Sequence, residues 1–228
     1  VLTQTLCEYA GKVVAVEIDS RLNEVLEFTL SGYRNVKVIN ADIMKTDIKK
    51  LIRDEFGDKR ISVAANLPYY ITTPVITRLL EEKLPINNIV VMVQKEVAQR
   101  ICALPGGKDY GAITLLCRYF TAPEIITNVK AGLFVPPPKV DSAVVRLKML
   151  DTPAVSVKSE DMFFKTVRFA FAQRRKTLMN CLSSGFGIPK DELSDIFEKA
   201  NIEPSRRGET LSIEEFANMA DRISEYFG

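Results

Sequence analysis

The tetrapeptide Asn66-Leu67-Pro68-Tyr69 brings an amide, a proline-fixed turn and a phenol ring to one point of the chain. Together they suit one demanding kind of chemistry. The exocyclic amine of a nucleobase is a poor nucleophile, because its lone pair is delocalised into the ring. A catalyst that alkylates it must hold the nitrogen with hydrogen-bond acceptors and aim it at the electrophile. The Asn66 side-chain oxygen and a main-chain carbonyl of Leu67 or its neighbour offer two acceptors. Pro68 fixes the turn, and Tyr69 gives a flat face to an unstacked base, a contact worth ~1–3 kcal/mol in single-strand binders. No general base is needed before attack, which agrees with a sequence that contains no histidine. The plain alternative is a β-to-α turn in which Asn and Pro only punctuate.

Two acidic residues lie upstream at comparable places. Glu17 closes a β-branched run, Val13 to Ile18, where a carboxylate can accept hydrogen bonds from both hydroxyls of a ribose; otherwise it is a surface Glu beside Asp19. Asp42, after the run Val36 to Asn40, can receive the amine of a cofactor adenine while Ile43 packs on the ring face. An Asx turn or helix cap is the simpler reading of Asp42.

The missing imidazole removes Ser-His-Asp and Cys-His nucleophilic schemes and most transition-metal sites, and no metal site is expected. The four cysteines, Cys7, Cys102, Cys117 and Cys181, are scattered without paired spacing, which fits a reducing, cytoplasmic setting better than a disulfide framework. A net charge of +2 gives no global attraction to polyanions, so any nucleic-acid surface must come from local clustering. Such a cluster exists: Phe163 to Leu182 holds Lys165, Arg168, Arg174, Arg175 and Lys176 and no acidic residue. Arg174, Arg175 and Lys176 are consecutive and point around the helix expected there, as contacts to an irregular phosphate surface would; Arg206 and Arg207 join them. A solvated helix face is the alternative. The longest apolar runs, such as Ile89 to Val93, are far shorter than the roughly 20 residues of a membrane-spanning helix, and no signal peptide is visible at the start.

The elements that must position these residues follow from periodicity. Short β-branched runs alternate with amphipathic stretches through the first half, as in strands joined by crossover helices in a mostly parallel sheet. Strands are predicted at Val13 to Ile18, Val36 to Asn40, Ile61 to Asn66 and Ile89 to Gln94. Helices are predicted at Leu2 to Tyr9, Arg21 to Leu30, Thr73 to Glu82, Lys95 to Ala103 and Tyr110 to Phe120, with Pro74 in a first helical turn. Glu124 to Val129 and Ser142 to Leu150 read as an antiparallel pair around a loop with Pro136, Pro137 and Pro138. Asp151 to Ser159 reads as a linker, and all that follows reads as helical. Phe163, Phe164, Val167, Phe171, Leu178 and Leu182 form apolar stripes; two further helices cover Ile188 to Ala200 and Ser212 to Tyr226, the second with Ser212 and Glu215 in capping-box spacing. Two domains result, 1–152 and 153–228. A doubly wound domain opens with a strand and a glycine-rich turn ahead of its first helix, and neither precedes Leu2.

The ordered set of motifs resembles one family along essentially the whole chain. It comprises Val14-Ala15-Val16-Glu17-Ile18-Asp19, Asn40-Ala41-Asp42, Asn66-Leu67-Pro68-Tyr69-Tyr70, Gln94 to Arg100, Lys108-Asp109-Tyr110-Gly111, Phe134 to Ser142, Arg174-Arg175-Lys176-Thr177-Leu178 and Arg207-Gly208-Glu209-Thr210-Leu211. On these residues the sequence is similar to the ribosomal RNA small-subunit adenine dimethyltransferases. The resemblance implies an α/β fold: a Rossmann-like class I methyltransferase sheet with helices on both faces, its first strand missing, and a small all-helical C-terminal domain that binds RNA or the ribosome. It implies S-adenosylmethionine as cofactor, with Glu17 and Ile18 at its ribose, Asp42 and Ile43 at its adenine, and Leu2, Thr3 and Asn66 also in the binding site. Asn66, Leu67, Pro68 and Tyr69 would receive the target base, and Phe134 would close on its other face; an ordinary core Phe before a proline-rich turn is the alternative. A base held between two rings must leave its own stack, which costs least in a loop or single strand. The implied substrate is therefore a hairpin loop near the 3′ end of small-subunit RNA, where two adjacent adenosines are each dimethylated. The implied partner is that RNA or the immature small subunit, and the protein would be a monomer with no membrane attachment.

The family carries upstream a first strand and a Glu-x-Gly-x-Gly-x-Gly turn that cradles the methionine part of the cofactor, and this sequence shows neither. The 228-residue chain is therefore expected to bind S-adenosylmethionine poorly. Calorimetry checks this, and micromolar binding by this chain would contradict it. Large-subunit RNA adenine methylases that confer antibiotic resistance share the Asn-x-Pro-Tyr logic, but the runs at Phe134 to Ser142 and Arg174 to Leu178 argue against them. A DNA adenine methylase would bring a target-recognition segment that is not found. A reading of another class is a ribosome assembly factor whose binding, rather than catalysis, is the essential role.

Overall fold

The computed structural model of the protein describes residues 2–228. They form two compact units, one of residues up to Arg60 with Glu82–Pro85, and one of Ile61–Glu81 with Ile86–Gly228. The first contains α1 (Leu2–Tyr9), β1 (Val13–Glu17), α2 (Asn23–Leu30), β2 (Val36–Asn40) and α3 (Ile48–Phe56). Strands β1 and β2 are parallel, in register from Val13↔Val36 to Glu17↔Asn40, with α2 in the crossover. Cys7, Val13, Leu30, Ile48, Ile52 and Leu84 are its buried apolar residues among those described. Polar clasps fix the ends of these elements. The Asn35 amide donates to the carbonyls of Cys7 (2.9 Å) and Ala10 (2.7 Å), and Lys12 and Lys37 both pair with Glu55 near the end of α3.

The second unit holds a four-stranded sheet in the order β3-β4-β6-β5, from β3 (Ile61–Asn66), β4 (Ile86–Gln94), β5 (Thr121–Val129) and β6 (Ser142–Met149). β3 runs parallel to β4, whereas β6 is antiparallel to both β4 and β5. Side chains alternate across a strand, and Ile89, Val91 and Val93 with Ala143, Val145 and Leu147 form one wholly buried face. On the other face Arg146 reaches Glu124 of β5 at 2.6 Å. Helices α4 (Thr72–Glu81), α5 (Lys95–Cys102) and α6 (Ala112–Phe120) lie between the strands in sequence. Among the described residues β1 pairs with β2 alone and β3 with β4 alone, so the parallel strands read from the sequence fall into two sheets.

The remaining helices are α7 (Glu160–Ala172), α8 (Leu178–Phe186), α9 (Lys190–Ala200) and α10 (Ile213–Phe227). They belong to the same compact unit as the four-stranded sheet, so residue 152 lies inside that unit. An aromatic cluster is one cause. Tyr119 of α6 packs against Phe163 and Phe164 of α7, with ring centroids 4.9 and 5.1 Å apart. The segment read as a linker is pinned as well: Ala154 N–H donates to the Tyr119 carbonyl (2.9 Å) and Lys158 N–H to Asp221 Oδ1 (2.8 Å). The capping box at Ser212 and Glu215 is formed as its spacing predicts.

One expectation needs correction. Arg174, Arg175 and Lys176 do not point around a helix. Helix α7 ends at Ala172, where Gln173 turns to φ −136°, ψ 84°, and α8 starts only after Thr177, whose hydroxyl caps Asn180 N–H at 3.4 Å. The three cations sit in the turn between two helices. That turn lets α8 fold back on α7 so closely that a Cβ at Gly185 would lie 2.3 Å from Cγ and 2.7 Å from Cβ of Phe169. Since Phe169 Cβ cannot swing away, Gly185→Ala is expected to destabilise the protein by about 1–3 kcal/mol through overpacking. A thermal melt checks this, and an unchanged midpoint would contradict the close approach.

Candidate active site and nucleic-acid interface

Asn66 is the last residue of β3, and the chain then turns through Leu67–Ile71 into α4. The turn is set by Pro68, whose carbonyl accepts Ile71 N–H (3.1 Å) and the Thr72 hydroxyl (3.2 Å). Pro68 O is therefore occupied, which leaves the Leu67 carbonyl as the free main-chain acceptor of this turn. Neither the Leu67 carbonyl nor the exposed Asn66 side chain hydrogen-bonds to any described residue. Two acceptors thus stand unsatisfied at the carboxyl end of a parallel strand, where open α/β sheets receive ligands. Tyr69 follows them with 39% of its surface open, and its hydroxyl lies 3.1 Å from that of Ser142. Phe134 is half-buried, in the loop that joins β5 to β6, and its N–H donates to the Ala131 carbonyl at 3.2 Å. Around it Leu133 is largely exposed and Val135 is 100% exposed, an unusual place for large apolar side chains unless something covers them.

In the first unit Glu17 and Asp42 lie at or just beyond the carboxyl ends of the paired strands β1 and β2. The Glu17 backbone carbonyl is taken by Ala41 N–H and the Asn40 amide, both at 2.9 Å. Its side-chain Oε1 accepts Asp19 N–H at 2.9 Å, so the carboxylate is oriented while Oε2 is left over. Asp42 does form the Asx turn that its position allows, with Oδ1 accepting Met44 N–H at 2.8 Å. The turn and a ligand contact are compatible, since among the described residues Oδ2 has only Lys45 Nζ beside it, at 4.0 Å. Ile18 is exposed, Ile43 is half-buried, and Leu2 and Thr3 occupy the first turn of α1.

Cysteine chemistry is disfavoured. Burial pushes the thiols of Cys7, Cys102, Cys117 and Cys181 up, so none is a ready thiolate. No cluster of metal-ligating side chains occurs among the described residues.

The basic residues separate into two kinds. Arg174, Arg175 and Lys176, with Gln173, line a partly open depression of about 290 Å³. Arg174 also donates to the Lys108 carbonyl, which braces the turn against the loop before α6, and Arg168 is exposed on α7. Arg206 is engaged within the helical layer. Its guanidinium meets the Glu215 carboxylate with both nitrogens (Nη2 to Oε2, 3.0 Å) and donates to the Thr210 hydroxyl at 3.1 Å, and it holds the Glu215 carboxyl below its usual range. Among the described residues the Arg207 guanidinium pairs with Glu209 alone, at 4.0 Å.

One strand end carrying Glu17, with Asp42 just past its neighbour, and another that offers an amide, a bare carbonyl and an open aromatic ring, are features of a Rossmann-like α/β methyltransferase. The chain belongs to the ribosomal RNA adenine dimethylase family, whose profile matches residues 1–224. A ribosomal RNA small subunit methyltransferase A from Alkaliphilus oremlandii is 48% identical over 225 residues, 98% of this chain and 78% of the relative. One of the same name from Bacillus cereus strain B4264 is 50% identical over 226 residues, 97% and 77% of the respective lengths. Among solved structures, a dimethyladenosine transferase from Plasmodium falciparum is 26% identical with a TM-score of 0.79, covering 96% of this chain and 84% of that one. The 23S rRNA methyltransferase ErmE, 24% identical with a TM-score of 0.71 over 98% and 86% of the two chains, shares the fold.

Proposed function

We propose that this protein transfers methyl groups from S-adenosylmethionine to the exocyclic amines of two adjacent adenosines in a hairpin loop near the 3′ end of small-subunit ribosomal RNA, dimethylating each. The observation that carries the reading is the pair of unsatisfied acceptors, Asn66 Oδ1 and the Leu67 carbonyl, beside the open ring of Tyr69. An adenine stacked on Tyr69 presents two amine hydrogens, and these acceptors take one each. As the nitrogen bonds to the methyl carbon it becomes cationic and its hydrogens more acidic, so both hydrogen bonds strengthen on the way to the transition state. The amine proton then leaves to solvent, and no imidazole is required. Phe134 covers the opposite face of the base and excludes water.

The residues of the first unit fit the nucleoside part of the cofactor by the chemistry of their acceptors. Glu17 suits the ribose hydroxyls, with Ile18 beside it. Asp42 suits the adenine amine, and Ile43 its ring face; Leu2 and Thr3 complete the set. When bound, the cofactor supplies an electrophilic methyl group on a sulfonium.

RNA contact is assigned to residues 153–228, beside a methyltransferase domain of 1–152. Arg168, Arg174, Arg175, Lys176 and Arg207 meet phosphates, while Arg206 supports them through its ion pair with Glu215. The protein acts as a cytoplasmic monomer on the immature small subunit, and its binding takes part in subunit assembly. Changing Arg174, Arg175 and Lys176 together to alanine is expected to weaken RNA binding and to flatten the salt dependence by roughly 0.7–0.9 log unit for each phosphate no longer neutralised. Filter binding across a salt series checks this; an unchanged slope would place the RNA elsewhere.

A further inference from the structure

Ser142 is 1% exposed and opens β6, paired there with Gln94 of β4 on one side and Val129 of β5 on the other. Its hydroxyl is the partner of the Tyr69 hydroxyl, 3.1 Å away and 73 residues distant in sequence. Tyr69 itself stands on a solvent-facing turn and is far more open. Water would satisfy a phenol in that position, so the bond is not needed to hydrate Tyr69. Its effect is geometric: an exposed ring is fixed at its far end to the interior of the sheet.

The neighbouring residue acts on the loop of Phe134. Asp141 Oδ1 accepts Ala131 N–H at 2.9 Å, and the Asp141 carbonyl accepts Lys95 N–H, also at 2.9 Å. Residues 131–141, which carry Phe134, are thereby closed on themselves at the same strand end that anchors Tyr69. Both aromatic side chains are referenced to the start of β6.

We propose that Ser142 is a positioning residue for methyl transfer, its hydroxyl holding the Tyr69 ring at the angle at which the target adenine stacks. This rests on the reading of Tyr69 as the base platform. A ring free to turn about its side-chain torsions would still bind RNA, but would present the amine to Asn66 and Leu67 for a smaller fraction of the time. The signature is a loss in kcat with little change in KM.

The test uses steady-state methylation, at saturating S-adenosylmethionine, of small subunits that lack the modification, with Ser142→Ala, Tyr69→Phe, their combination, Ser142→Thr and Tyr69→Ala. Ser142→Ala and Tyr69→Phe are each expected to lower kcat about fivefold, the scale of one hydrogen bond, with KM nearly unchanged. The double variant is expected to be no worse than either single one, since both remove the same bond. Ser142→Thr, which keeps the hydroxyl, restores the rate. Ser142→Ala alters a buried position, whereas Tyr69→Phe removes only an oxygen from a residue on an open turn; it leaves the buried Ser142 hydroxyl without that partner but changes no packed volume in the sheet, and a thermal melt of each variant separates loss of the bond from loss of stability. Wild-type kcat in Tyr69→Phe, or multiplied losses in the double variant, would overturn the inference. If Tyr69→Ala loses activity in that case, the base platform stands and only the role of Ser142 fails; if Tyr69→Ala is fully active, the platform itself fails.

Discussion

Asn66→Ala is expected to lower the single-turnover rate of methyl transfer by about 100- to 1000-fold, the range seen when one preorganised hydrogen-bonding group of a transition state is removed. Asn66 is exposed at the end of β3, and its side chain makes no hydrogen bond to the described residues. The substitution therefore removes an acceptor without opening a cavity, and the melting temperature should stay within about 1 °C of the wild type, as for surface changes away from structural features. Rate and melt together separate chemistry from folding. The same variant separates the two biological roles. If subunit maturation and growth stay normal while methylation disappears, binding is the essential contribution; a defect equal to deletion would point to catalysis.

Tyr69→Ala is expected to be the second most damaging single change. Removing the ring forfeits stacking worth about 1–3 kcal/mol, a factor of roughly 5 to 150 in kcat/KM. Because an unstacked adenine then has less to hold it outside the RNA, the loss should include the step of base extrusion. That step can be read with 2-aminopurine in place of the target adenine, whose fluorescence changes with stacking. Wild-type protein is expected to give a stacked, quenched signal on binding that Tyr69→Ala does not give. An identical signal from both would mean that the base rests elsewhere.

Much of the architecture follows from hydrophobic period alone. The strands at Val13, Val36 and Ile61 and the helices α1, α2 and α4 lie within a few residues of where alternation and helical spacing put them. Strand β4 begins three residues earlier than its β-branched core, at Ile86, because Asn88 still pairs with Ser62 although nothing in its side chain favours a strand. Helix α3 is absent from the sequence reading. Its Ile48 and Ile52 are buried at a spacing of four, but charged residues surround them and dilute the pattern, while Asp47 caps its start and Gly57 ends it at φ 65°. The break at Gln173–Thr177 is hidden for the opposite reason: apolar spacing continues through it, from Phe171 to Leu178, and no Gly or Pro marks the turn.

The candidate site divides along the same line. Asn66, Tyr69, Glu17 and Asp42 are candidates by the chemistry of their own side chains, and the structure places each at or just beyond a strand end. What decides between acceptors, or fixes a ring, depends on contacts made after folding. Pro68 O is excluded only because Ile71 and Thr72 come back to it, and Ser142 meets Tyr69 only through the sheet. Arg206 and Arg207 are adjacent and alike in sequence, yet Arg206 is held by the Glu215 of a capping box. A pairwise partner of that kind leaves no local signature.

The central claim is that Asn66 and Leu67 grip the exocyclic amine of adenine. It is tested most directly by the chemical identity of the product, using the protein, S-adenosylmethionine and unmodified small subunits, with the RNA digested to nucleosides and separated by mass. The expected product is adenosine carrying two methyl groups on the exocyclic nitrogen, at two neighbouring positions of one hairpin loop, and formed about 100- to 1000-fold more slowly when Asn66 is alanine. Methyl groups on a ring nitrogen, on ribose or on another base, or undiminished dimethyladenosine from the Asn66→Ala protein, would contradict it.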